Sequence, residues 1–368
     1  MKKINYKERK RNEAYRDNRI IPAKLLYEPY IEGGRPHGDL DKLLLNLIIA
    51  SGEIPTNIYK PLNITHGTFR AVISELYKKK MIKKNISNAL HTYLLSAHGK
   101  NVLYYHAPFI RTPNDLPSRK RRVKLARLNA LWYGLDVSLF FDKHQSPEDI
   151  RVLCVHNELC FINTYHLKPV VTDYPEQIRR SKAYGLLTAF DKQYVVYYES
   201  EAVDFYFEEE LFRQNISNFI GEKVSDMLLV VDFQVQAAYW IYFLLDHYEY
   251  FYGETPSKYF ESVKILIADS NADDSLYVLL NEKMIENRIK QQYPIFDKVT
   301  DDKEYHLFLT LDFSKLRYLI ARSKYNPKIH IKIVTYPYLF NLIECILKDT
   351  SIEVLCIDEE VWDSFLSI

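Results

Sequence analysis

The first predicted elements come from leucines and isoleucines that recur every three or four residues in the segment DLDKLLLNLIIASG. This spacing places them on one face of a helix, for which Asp39 is the expected N-cap and Gly52 the expected end. The next segment, EIPTNIYKPLN, has room for about two helical turns between Pro55 and Pro61. It therefore predicts a short second helix.

A third helix is predicted in the segment THGTFRAVISELYKKK, where Thr65 is the expected N-cap. Its apolar face is formed by residues at i, i+3, i+4 and i+7, namely Phe69, Val72, Ile73 and Leu76. Its opposite face carries small, polar or basic residues, namely His66, Gly67, Arg70, Ser74 and Lys78. Two alternating runs, MIKKNI and HTYLL, follow and predict a hairpin around the turn SNAL.

Three helices, this hairpin and the exit segment LLSAHGKNVLYY follow one another over about residues 39–105, an order that resembles the winged-helix superfamily. The resemblance implies that the third helix enters the major groove of double-stranded DNA, which at about 12 Å wide admits one helix. Arg70 would then pair with a guanine edge. The rest of the helix face in the groove would be formed by His66, Ser74 and Lys78. Phosphate contacts are expected from Thr65, Thr68, Lys83, Lys84, Asn85 and Asn88.

The alternative for this helix is a basic face that is solvated and binds nothing. The same choice applies to a second basic block, PSRKRRVKLARLNALWYGLDVSLF, in which residues 119–127 hold six basic and no acidic side chains. Val123, Leu125 and Leu128 supply an apolar stripe, so the block predicts a helix with a water-exposed basic N-terminal half. In its functional interpretation, the block adds a clamp on the DNA backbone formed by Arg119, Lys120, Arg121 and Arg122.

From about residue 148 onward the pattern changes to β-rich mixed structure. Strands are predicted for IRVLCVH, LCFINTY, YGLLTAF, KQYVVYYES, AVDFYF, VKILIADS, EYHLFLTLDF, KIHIKIVTY and IEVLCIDEE. Helices are predicted for EELFRQNISNFIGEK, VQAAYWIYFLLDHY and YLFNLIECILKD, and the last strand–helix–strand unit is expected to pair in parallel. The predicted fold class is therefore α+β or α/β and multidomain, with an N-terminal winged helix-turn-helix followed by a mixed, β-rich α/β domain.

Length and composition agree with a folded multidomain protein, since the chain has 368 residues, of which 47% are hydrophobic and 26% charged. Four parts are predicted: a basic arm and linker at 1–38, a winged-helix DNA-binding domain at 39–110, a basic connecting helix at 111–146 and an acidic mixed α/β domain at 147–368. A break between two subdomains of the last part is expected near 250–262.

The formal net charge of +1 conceals an asymmetry between the two ends of the chain. Positions 1–130 hold 26 basic and 10 acidic residues, net +16, whereas the remaining positions hold 23 basic and 38 acidic residues, net −15. This polarity favours a chain whose front part binds a polyanion while its acidic part stays away from it. The alternative is a chance distribution of solvated surface charge.

The chain has none of the motifs GxxxxGK[ST], GxGxxG, HExxH and GxSxG. Nucleotide-binding, zinc-peptidase and hydrolase functions therefore lack their usual sequence signals. The run CVHNELC at 154–160 places two thiols and an imidazole near each other in the sequence. Ligands of this type can bind zinc, but half-buried strand residues are the favoured interpretation. A metal-dependent nuclease needs clustered carboxylates, for which the candidates are Glu199 and Glu201 in one segment and Asp269, Asp273 and Asp274 in another. No lysine follows them at strand spacing, so no catalytic residue, metal or cofactor is expected.

The expected location is the cytoplasm. The segment MKKINYKERKRNEAYRDNR lacks the apolar core of a secretory signal, and no apolar run reaches the length of a membrane span. Four scattered cysteines are too few for a secreted disulfide framework.

The winged helix, the basic helix RKRRVKLARLNALW and the later run RSKAYGLLTAFDKQYVVYY together resemble the replication-relaxation family of plasmids and conjugative elements of Gram-positive bacteria. The resemblance implies a restriction-endonuclease-like C-terminal domain, for which a Rossmann-like fold is the alternative. The leading hypothesis is a DNA-binding protein without enzymatic activity that controls replication, transfer or transcription of a mobile element. Its C-terminal domain would form a homodimer or bind a replication or transfer protein. The alternatives are a metal-dependent nuclease in the C-terminal domain and a protein-interaction scaffold.

Overall fold

The chain forms a mixed α/β protein with several sheets and divides into two compact units. The computed structural model describes residues 40–62, 64–87, 90–103, 115–140, 146–155, 159–172, 178, 181–189, 192–198, 207–250, 260–297 and 302–366. The first unit comprises Met1–Val170 and Tyr184–Asp191, and the second comprises Val171–Ala183 and Lys192–Ile368.

The first unit begins with three helices and a small antiparallel sheet. Its elements are α1 (Leu40–Ser51), β1 (Ile54–Pro55), α2 (His66–Lys78), β2 (Ile82–Ser87), β3 (Leu90–Leu95) and α3 (Ala97–Val102). The strand order is β1, β3, β2, so β3 is central. Helix α1 is followed by Gly52, whose positive φ of 84° costs glycine little and is rarely adopted by other residues.

The remainder of the first unit is built around a long helix. Its elements are α4 (Leu116–Gly134), β4 (Ser138–Phe140), α5 (Pro147–Val155), β5 (Cys160–Asn163), α6 (Thr164–Val171) and β6 (Gly185–Ala189). Strand β5 pairs with β4 in parallel and with β6 antiparallel. Helix α4 packs against α1, β1 and β4, and its Trp132 is fully buried with its ring centroid 5.8 Å from that of Phe161.

The second unit contains two sheets with mostly parallel pairing. Its elements are β7 (Lys192–Tyr198), α7 (Phe207–Ile220), β8 (Asp226–Val231), α8 (Gln234–Tyr250), β9 (Ser262–Ile267), α9 (Ala272–Gln292), β10 (Lys303–Leu307), β11 (Leu311–Asp312), α10 (Phe313–Tyr325), β12 (His330–Thr335), α11 (Pro337–Leu347), β13 (Glu353–Cys356) and α12 (Glu359–Leu366). In one sheet, β7, β8 and β9 run parallel and β11 pairs antiparallel with β9; in the other, β10, β12 and β13 run parallel. The last five residues of β7, β8 and β9 are all buried, as in sheets covered on both faces.

Several predicted elements are confirmed. The third helix is α2, the hairpin is β2 and β3, and the exit segment contains α3. The basic block forms α4 only over Leu116–Gly134, and its last residues form strand β4 instead of helix. The final strand–helix–strand unit, β12, α11 and β13, pairs in parallel as expected.

The strand predicted for IRVLCVH is wrong, because residues 150–155 are the C-terminal part of helix α5. The residues before it form a helix start: Ser146 Oγ accepts from the backbone N of Asp149 at 3.2 Å, and Asp149 Oδ2 accepts from the backbone N of Ser146 at 2.9 Å. Such reciprocal capping, with Pro147 as the first helical residue, favours a helix over a strand.

Two other expectations differ from the structure, and one central strand was not predicted. The segment expected to be a second helix forms β1 and a series of hydrogen-bonded turns. EYHLFLTLDF contains two strands, β10 and β11, which belong to different sheets. Strand β8, with the sequence DMLLVV, was not predicted, because a short apolar run has no period that distinguishes a strand from a helix.

The two units also differ from the predicted domain limits. Residues 147–170 group with the first unit, and the chain on both sides of 250–262 belongs to the second. The arm at 1–38, the cap Asp39 and most of the predicted strand AVDFYF lie outside the described residues.

Candidate nucleic-acid interface

Helix α2 is defined by local signals at both ends. Thr65 is its N-cap, since its Oγ1 accepts from the backbone N of Thr68 at 3.2 Å. At the other end, Met81 N donates to the carbonyl of Leu76 and Lys80 N donates to that of Tyr77. This pair of bonds is a Schellman motif, with Lys80 at the position that glycine usually takes.

One face of α2 is buried and the other is open to solvent. The buried side chains are those predicted, Phe69, Val72, Ile73 and Leu76. The exposed residues include every candidate placed on or beside this helix, namely Thr65, His66, Thr68, Arg70, Ser74 and Lys78. The polar and basic residues of this face are therefore accessible to solvent.

The hairpin contributes further cations beside this helix. Lys83 and Lys84 on the edge strand β2 are exposed, and Asn85 is half-buried. Lys84 lies opposite Tyr93 of β3 in the antiparallel register. Asn88 lies outside the described residues.

Two tyrosines connect the helix to the hairpin, and the sequence analysis did not select them. The rings of Tyr77 in α2 and Tyr93 in β3 meet edge to face with centroids 6.1 Å apart. Burial raises the pKa of Tyr93 above its usual value, and the positive charge of Arg70 opposes part of this shift. Helical spacing could have identified Tyr77, since it lies seven residues after Arg70 on the same face.

The structure corrects the assignment of Arg119 to a DNA clamp, because this side chain is buried. Its side chain is 3% exposed and its guanidinium donates to both carboxylate oxygens of Glu53, with Nη2 3.0 Å from Oε2. The hydroxyl of Thr92 donates to Glu53 at 2.7 Å and accepts from Arg119 Nη2 at 3.0 Å. This buried network joins α4 to the start of β1 and to the central strand β3.

The other three members of the proposed clamp differ in their exposure to solvent. Arg122 is 8% exposed and packs on Gly52, where a Cβ atom would meet its Nη1 at 2.4 Å. The Arg121 guanidinium lies 4.6 Å from the ring centroid of Tyr184, in a cation–π contact. Lys120 is exposed. The predicted basic, water-exposed half of this helix is therefore wrong for Arg119 and Arg122.

The candidates for metal chemistry are not assembled into a site in the part of the chain that the structure describes. There, no group of three or more His, Cys, Asp or Glu side chains is placed to hold a metal ion. Asp269 accepts from the Tyr338 hydroxyl at 2.8 Å and from the backbone N of Asn271 at 2.9 Å. Glu199 and Glu201 lie outside the described residues.

The two thiols of the CVHNELC run are buried in different elements. Cys154 lies in α5 and Cys160 in β5, and His156 between them is outside the described residues. Burial raises the pKa of Cys154 to about 12, so its thiol stays protonated near neutral pH.

Comparison of the chain with family models, with curated proteins and with solved structures found no match. Within the described residues, none of the helices combines the length and the apolar character that crossing a membrane requires. The assignment of the interface therefore depends on the geometry and charge of its own residues.

Proposed function

We propose that residues 40–103 form a winged helix that binds double-stranded DNA. The order of α1, β1, α2, β2 and β3, with the three strands in one antiparallel sheet, supports the winged-helix assignment. The observation that carries the function is the open polar face of α2 beside two exposed lysines of the hairpin.

In this proposal, α2 lies in the major groove and Arg70 contacts a guanine edge. A bidentate contact of this kind contributes roughly 1–3 kcal/mol of discrimination between bases. Thr65 and Thr68 contact phosphates near the start of the helix, and Lys83 and Lys84 contact phosphates from the hairpin, which fixes the register of the protein on the duplex. The net charge of +16 over positions 1–130 supports this orientation.

The biological setting we propose is the cytoplasm, where the protein controls replication, transfer or transcription of a mobile element. The second unit would dimerise or bind a partner protein. Its acidic composition keeps it away from the same DNA.

Fluorescence anisotropy of the full chain with labelled duplex DNA, over a salt series, tests the proposal. The slope of log K against log salt is about −0.9 for each phosphate contacted. Lys83→Ala/Lys84→Ala is expected to make the slope less steep by about 2. Arg70→Ala is expected to reduce the preference for one sequence over another. The matched control is Lys328→Ala, which removes an exposed lysine of the second unit and leaves both properties unchanged.

Binding that is absent at low salt would contradict the proposal and favour a protein-interaction scaffold. Binding that is insensitive to salt, or an unchanged sequence preference in Arg70→Ala, would remove the groove assignment.

A further inference from the structure

Helix α8 carries a row of exposed apolar and aromatic side chains. Val235, Tyr239 and Tyr242 follow one another at i, i+4 and i+7 and are 73%, 55% and 38% exposed, and Phe233 immediately before the helix is 61% exposed. We call these four residues the α8 stripe. The opposite side of the helix is buried through Ala237, Trp240, Ile241 and Leu244.

The α8 stripe differs from isolated exposed hydrophobic residues, which are common on protein surfaces. Its spacing is that of a helix face packed against another helix, and its exposed apolar area is roughly 400 Å², within the range of functional patches. Ala238 is half-buried and lies between the larger side chains, so a second helix can approach closely there. The Tyr242 hydroxyl donates to the carbonyl of Cys345 in α11 at 3.2 Å, which holds the last ring in place.

Charge indicates which partner fits this face. Residues 233–245 contain no Asp, Glu, Lys or Arg, whereas the second unit as a whole has 20 basic and 32 acidic residues, net −12. Two copies of such a unit repel each other over most of their surface. This uncharged segment lies between Asp232 and Asp246 and is the part of the helix face where two copies can meet with the fewest like charges together.

We propose that a second copy of this chain covers the α8 stripe, in an antiparallel helix pair with a two-fold axis near Ala238. This symmetry places Phe233 and Val235 of one copy opposite Tyr242 of the other, so the stripe is complementary to itself. The proposal does not depend on DNA binding.

The size of the stripe sets the expected strength of the dimer. Roughly 400 Å² from each copy is about half of what one partner contributes to an interface of standard size. The dimer is therefore weak, with a dissociation constant on the order of micromolar. It forms as the protein concentration rises through that range.

Sedimentation velocity of the full chain over about 1–200 µM measures this constant. The wild-type chain is expected to pass from monomer to dimer. Tyr239→Glu places two carboxylates in the seam and is expected to raise the dissociation constant at least about tenfold. The control is Tyr318→Glu in α10, because Tyr318 is 57% exposed and Tyr239 is 55% exposed. This control is expected to leave the dissociation constant unchanged.

A cross-link gives a second readout that does not require weakened association. In a Cys345→Ser/Cys356→Ser background, which removes the exposed thiols, Ala238→Cys is expected to form a disulfide-linked dimer when diamide oxidises the two facing thiols. Tyr318→Cys in the same background is expected to stay monomeric. A wild-type chain that remains monomeric at every concentration overturns the proposal. So does Tyr239→Glu with the wild-type dissociation constant, or Ala238→Cys that cross-links no more than the control.

Discussion

Replacing Arg119 with alanine separates a buried structural role from a contact with DNA. The substitution removes the guanidinium that donates to Glu53 through Nε and Nη2 and to Thr92 through Nη2. Glu53, at 0% exposure, would keep its carboxylate inside the first unit with the 2.7 Å hydrogen bond from Thr92. Removing one partner of a buried ion pair costs about 3–5 kcal/mol, mostly because the other charge remains uncompensated.

Hydrogen exchange of the full chain measures this cost where it arises. With about 1.4 kcal/mol for each factor of ten, peptides that cover β1 and β3 are expected to exchange about 10²- to 4 × 10³-fold faster in Arg119→Ala. Peptides from β12 and β13 in the second unit are expected to exchange as in the wild type. Lys120→Ala, which changes the exposed neighbouring residue, is expected to stay within about 0.5 kcal/mol of the wild type.

The opposite result would refute the reasoning. If Arg119→Ala exchanges like Lys120→Ala, and its DNA binding loses about one unit of salt slope, Arg119 contacts a phosphate and the buried network does not form.

Two further predictions concern conformation and pH. Lys80 has a φ of 56°, which glycine adopts more easily than lysine. Lys80→Gly is therefore expected to stabilise the end of α2 by about 1 kcal/mol, as measured by hydrogen exchange. If Lys80→Ala stabilised the helix end equally, this explanation would be contradicted. Burial alone would raise the pKa of Glu282, but the charge of Lys264 and hydrogen bonds from Lys264 and Thr310 lower it below 4.5. The stability from this ionised carboxylate is present above pH 4.5 and is lost as the pH falls through its lower folded-state pKa. Thermal unfolding is therefore expected to show a smaller loss of melting temperature between about pH 6 and 3 in Glu282→Gln than in the wild type. Exposed Glu344→Gln serves as control, and equal acid profiles for the two variants would rule out this assignment.

Elements specified by neighbouring residues were predictable from the sequence. Helix α2 was predicted from the Thr65 cap and from apolar residues at helical spacing, and the hairpin from two alternating runs around a polar turn. Those signals act within a few residues, so they are present in the sequence itself. The exposed candidates on α2, including Arg70 and Lys78, followed from the same periodicity.

Tertiary structure decided which cations are available and which apolar runs become central strands. Arg119 and Lys120 are neighbours in one basic block. Arg119 is buried in an ion pair with Glu53, which lies 66 positions earlier, whereas Lys120 is exposed to solvent. Strand β8 has the central place between β7 and β9 although its own sequence has no strand period. Periodicity shows which residues share a face of their own element. Whether that face is buried, paired or open depends on what packs against it, and those partners are distant in the sequence.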